Sequence, residues 1–140
     1  MFLVHKNIEE FFNEILFDIE CRNNTRAYII SIFSKYRTSQ FDLSKNSITI
    51  LYSQAINNQD FYLYQTIGDW LFFASTWAPE HLNNVSADYY HNIAKLSYYS
   101  CYNLINKKWD CFEELANKFL HLEERVKNKL STIKCQDINL

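Results

Sequence analysis

The sequence predicts an all-α protein, an irregular bundle of about six helices around an apolar central helix at about residues 60–78. Three observations predict it. The 140 residues include one Gly and one Pro, too few breakers to punctuate an all-β chain, whereas helices can end on Asn, Ser and charged residues. Apolar residues recur at alternating spacings of three and four, the helical period. Hydrophobic residues make up 48% and aromatics 17% of the chain, enough to offset ordering entropy by burial and to exclude disorder. A chain of this length can bury about two-thirds of its extended surface in one domain, so residues 1–140 read as a single helical domain without repeat or linker.

The first helix carries Ile8, Phe11, Phe12, Ile15, Leu16 and Ile19 on one face, with Glu9, Glu10, Asn13 and Glu14 opposite. Asn7 is its expected N-cap, its first-turn acids suit the helix dipole, and Asn23-Asn24 is the expected break. Thr25 would then cap a second helix with Ile29, Ile32, Phe33 and Tyr36 on its buried side. Thr38 to Asn46 is polar and reads as a loop. Ser47 is the expected cap of a third helix with Ile48, Leu51, Tyr52, Ala55 and Ile56. Ile48-Thr49-Ile50 would suit a strand, but no second strand is available to pair with it.

Asn57-Asn58 ends the third helix and Asp60 starts the fourth. There Tyr64, Ile67, Gly68, Leu71, Phe72 and Ser75 form one stripe, while Leu63, Trp70, Phe73 and Trp77 fill other sides. A helix apolar nearly all round has neighbours on several sides. Gly costs roughly 1 kcal/mol inside a helix, so Gly68 predicts the close approach of another backbone. Pro79 stops the helix at Ala78. Ser86 caps a fifth helix, with Asp88 in its first turn and Tyr90, Ile93, Ala94, Ser97, Tyr98, Cys101 and Ile105 inward. Asn106-Lys107 turns the chain. A sixth helix runs from about Trp109 past Leu130, its seam of Phe112, Leu115, Phe119, Leu122 and Val126 resembling a coiled-coil edge. Residues 134–140 are expected to fray.

Composition excludes several function classes. The net charge is −2 and the pI about 6.1, whereas duplex-binding domains carry a strong basic excess. Lys107, Lys108, Lys118, Lys127, Lys129 and Lys134 therefore read as a solvated face, and nucleic acid is not an expected partner. Cys21, Cys101, Cys111 and Cys135 lack CxxC spacing, and the opening residues are too short an apolar run for a signal peptide, so reduced thiols in the cytoplasm are expected. The uncharged run Trp70–Ala78 is about half of what a bilayer needs, and no membrane span is expected. One glycine cannot build a phosphate-cradling loop, and no nucleophile motif surrounds any Cys or His.

The remaining candidates are few. Asp69 interrupts the most apolar part of the chain, and a carboxylate there is costly unless paired. It marks either a ligand site or a structural anchor, since Gln65, Thr66 and Thr76 lie on roughly the same side. Asp88 with His91, and His121 with Glu124, have the i, i+3 spacing of metal ligands. Neither is a Glu-x-x-His motif, and no further ligands can be named, so no metal or other cofactor is expected. Tyr89, Tyr90, Tyr98, Tyr99 and Tyr102 crowd the fifth helix around more than one face. If Tyr90 and Tyr98 point inward, Tyr89, Tyr99 and Tyr102 are interface candidates, because Tyr is enriched in interface cores.

The segment Tyr64–Glu80, YQTIGDWLFFASTWAPE, resembles a motif in a group of uncharacterised bacterial proteins. Their form is Leu-Gly-Asp-x-x-Leu-Phe-x-x-Ser/Thr-Gly-x-Phe-x-Glu, followed by a Tyr-Tyr pair that opens the next helix. Asp88-Tyr89-Tyr90 occupies the place of that pair, and Thr25–Phe33 and Phe112–Phe119 resemble earlier and later helices of the group. The similarity spans roughly residues 25–130 and departs at Thr76, where the group has Gly. It implies a small all-helical fold and a bacterial source, with no established activity to carry over. It also directs attention to Gly68, Asp69 and Glu80, with His91 a further polar candidate nearby. The functional expectation is a protein-interaction module (a regulator, inhibitor or adaptor, or a self-associating protein) rather than an enzyme. The alternative is a helical enzyme or ligand- or metal-binding protein with a pocket near Asp69.

Overall fold

The computed structural model describes residues 8–37, 43, 45–83 and 85–136. Among them are seven α-helices and no strand: α1 (Ile8–Leu16), α2 (Asn23–Tyr36), α3 (Lys45–Asn58), α4 (Phe61–Trp77), α5 (Ala87–Leu104), α6 (Asp110–Asn117) and α7 (Phe119–Gln136). A short 3₁₀ turn, Pro79–Leu82, joins α4 to α5. Helix α4 is central and packs against α2, α3, α5, α7 and the 3₁₀ turn. Its apolar circumference is the reason: nearly every residue from Tyr64 to Thr76 is buried.

Local chemistry sets the helix ends. The Asp60 carboxylate accepts the Leu63 N–H at 3.2 Å, and the Ser86 hydroxyl accepts the Tyr89 N–H at 3.2 Å, each capping an otherwise orphaned donor of α4 or α5. At the end of α3, Gln59 is left-handed (φ 50°) and the Asp60 N–H reaches back to the Ala55 carbonyl at 3.1 Å. This tight C-terminal cap passes directly into the N-cap of α4, so α3 and α4 form an antiparallel hairpin. The same device ends α5, where Asn106 (φ 56°) and Lys107 (φ 61°) are left-handed and the Lys107 N–H meets the Tyr102 carbonyl at 2.9 Å.

Several sequence expectations need correction. Helix α1 ends at Leu16, not at Asn23-Asn24, because the Arg26 guanidinium donates to the Leu16, Ile19 and Cys21 carbonyls and holds the turn closed. Asn23 opens α2 instead, so Thr25 is not its cap but a buried residue within it. The α2 N-terminus is held from elsewhere, by the Arg22 N–H donating to Glu114 Oε1 at 3.0 Å. Helix α3 starts at Lys45, before Ser47. The expected sixth helix is two helices, bent at Lys118 (φ −117°). The bend lets Phe112 and Phe119 both pack on Tyr98, with ring centroids 6.1 and 6.3 Å away. Helix α7 runs through Gln136. Residues 137–140, the Asn7 cap, most of the 38–46 loop and the Cys135 side chain lie outside what is described.

Gly68 also has a different reason from the one expected. What approaches it is not a backbone but the Tyr98 ring: a Cβ there would lie 3.0 Å from both Cε1 and Cζ. Tyr98 is fully buried and stacked on Phe112, so it has little room to yield. Gly68→Ala should therefore destabilise the fold by roughly 1–3 kcal/mol, overpacking outweighing the helix-propensity gain of about 1 kcal/mol. Urea titration of the two proteins checks the sign.

Candidate functional site

The Asp69 side chain lies at the junction of α2, α4 and α5. It is 5% exposed. Tyr28 from α2 donates to both carboxylate oxygens, at 2.9 and 2.8 Å, and Tyr98 from α5 donates to Oδ1 at 2.8 Å. One turn earlier on α4, Gln65 donates its amide to the Tyr28 hydroxyl at 2.8 Å. The carboxylate is thus held by phenols, not by a cation. Burial pushes its carboxyl up to about 7, against the opposing hydrogen bonds of Tyr98 and Tyr28 and the charge of Lys35. Burial and the neighbouring carboxylate together push the phenols of Tyr28 and Tyr98 well above their ordinary range, so both remain donors. The buried thiol of Cys101 is raised for the same two reasons.

A second acid repeats the arrangement between α5 and α7. Glu123, 6% exposed, accepts the Tyr90 hydroxyl at 3.0 Å on one oxygen and meets His91 Nε2 at 2.9 Å on the other. The His91 ring also packs edge-on against Phe119, 5.8 Å away. Both of these acids therefore have a tyrosine of α5 as partner, which offsets part of the cost of burial; the third buried acid, Glu114, is met by the Arg22 N–H and Lys118 instead.

The other candidates are scattered. Glu80 is exposed on the 3₁₀ turn, and Asp88, His121 and Glu124 are exposed on their helices. His91 is engaged by Glu123 rather than by Asp88. Among the described residues no three His, Cys, Asp or Glu side chains converge on a point where a metal ion could sit. Of the interface candidates, Tyr99 is 49% exposed, while Tyr89 and Tyr102 are half-buried against the core. The Tyr89 hydroxyl is hydrogen-bonded to that of Thr49 on α3. Cys21, Cys101 and Cys111 are free thiols, and no helix among the described residues is long and apolar enough to cross a membrane.

Tyr28 and Glu123 were not singled out from the sequence as site residues. Glu123 left a signal, since it stands four residues after Phe119 and three before Val126, on the buried stripe of α7. Tyr28 left a fainter one, at the flank of the α2 stripe. Grooves lie on the surface among the described residues. One, of about 780 Å³, lies between α1 and α7 and is bridged by Lys129 and Asp18 at 2.8 Å; another, of about 450 Å³, lies beside Cys21 and Glu114. Neither is lined by Asp69. No family model, curated protein or solved structure matches the chain.

Chemically, the Asp69 cluster cross-links three helices and carries a group that exchanges its proton near neutrality. The folded carboxyl titrates at about 7 against 3.8 in the open chain, so between those values the fold binds a proton that the unfolded chain has lost. Stability from this group is complete below about pH 4 and falls as pH rises to about 7, by on the order of 4 kcal/mol. Asp69→Asn, which keeps an acceptor for the phenols, should remove that slope. The difference between the proteins in urea unfolding, followed from pH 4 to pH 8, should shift in favour of the variant. A constant difference would show that Asp69 is ionised throughout.

Proposed function

We propose that the protein is a small protein-interaction module working in a reducing compartment, and that its docking face is the outer flank of α3 and α5. The observation that carries this reading is the scarcity of charge there. From Asn46 to Gln59 the sequence has no charged residue or histidine. On α5 the outward side carries Tyr89, Asn92, Ile93, Leu96, Tyr99 and Asn103, with Asp88 and Lys95 in line with Tyr99, and Tyr89 reaches Thr49 of α3. Large apolar groups stand out from this flank: Ile50 is 57% exposed, Ile56 45%, Leu96 51% and Tyr99 49%. Depletion of charge with retention of Tyr and aliphatic side chains is the composition of an interface centre. Phe17, Tyr62, Trp109 and Leu120 are also exposed, scattered outside this flank, and the outer face of α1 is lined with acids.

A second reading, a helical enzyme or ligand-binding protein with its site at Asp69, draws support from the carboxyl pushed up to about 7, a value suited to acid–base work. A ligand there would have to displace Tyr28 or Tyr98, which already occupy both oxygens. The docking reading therefore ranks first.

Capture of the tagged protein from lysate of its own organism, beside the variant Leu96→Lys, tests it. The wild type should retain one stoichiometric protein, a different chain or a second copy, and the variant should retain at least about ten-fold less. Equal retention by both proteins, or none by the wild type, refutes the docking face.

A further inference from the structure

We draw no further inference here: the strongest candidate, the groove of about 780 Å³ between α1 and α7, carries nothing, because Lys129 and Asp18 already pair across it, its other charged side chains are exposed, and nothing in the structure shows what fills it.

Discussion

A carboxylate at the junction of three helices must be compensated on the spot, and in this protein two phenols do it. Asp69 sits on the most apolar helix of the bundle, where an unpaired charge would be costly enough to unfold a marginal domain. Tyr28 and Tyr98 bring their hydroxyls to its oxygens from opposite neighbours of α4, so the separations of α2 and α5 from α4 are set together. Much else follows from placing Tyr98 there. Its ring crosses α4 at Gly68, the one position in the chain without a side chain to obstruct it. Its other contacts are Phe112 and Phe119, one from each side of the bend at Lys118. The glycine, the acid, the buried tyrosine and the bend form one connected arrangement.

The same logic explains why α5 carries so many tyrosines. Tyrosine fills a core and also brings an O–H donor that can reach a buried carboxylate. Tyr98 does so for Asp69 and Tyr90 does so for Glu123. Both acids sit on the helices against which α5 packs. The outward pair has another use: Tyr89 reaches across to Thr49 of α3, and Tyr99 stands half in solvent. One helix thus separates its tyrosines by direction, inward for compensating buried acids and outward for the sparsely charged flank.

Where helix signals were local, the sequence could be read closely. Asp60, Ser86, Pro79 and the Asn106-Lys107 turn act within a few residues of themselves, and each does in the structure what its chemistry predicts. The central helix was legible for a related reason, because an all-round apolar surface needs neighbours wherever they come from. What was not legible came from contacts distant in sequence. Arg26 closes the end of α1 from the following helix, Glu114 holds the start of α2 from 92 residues away, and neither leaves a periodic trace. The bend at Lys118 was hidden because its apolar seam keeps helical spacing straight through it. The Asp69 cluster was half legible: the acid stood out against its apolar surroundings, while its partners looked like ordinary core tyrosines.

The proposed docking face and the buried cluster are joined by α5, and this gives the core a bearing on the surface. Helix α5 is held rotationally by Tyr98 on Asp69 and Tyr90 on Glu123, two inward bonds about two turns apart. With both in place the helix cannot roll, and Leu96 and Tyr99 are carried at a fixed angle on the opposite side. A surface held in this way binds without first ordering itself, which lowers the entropic cost of association. An alternative core of aliphatic residues would bury as much area with less desolvation cost, but it would leave the rotation of α5 to shape packing alone. Directed bonds from tyrosine to acid resolve that rotation, so the outward side chains of α5 are presented at one angle.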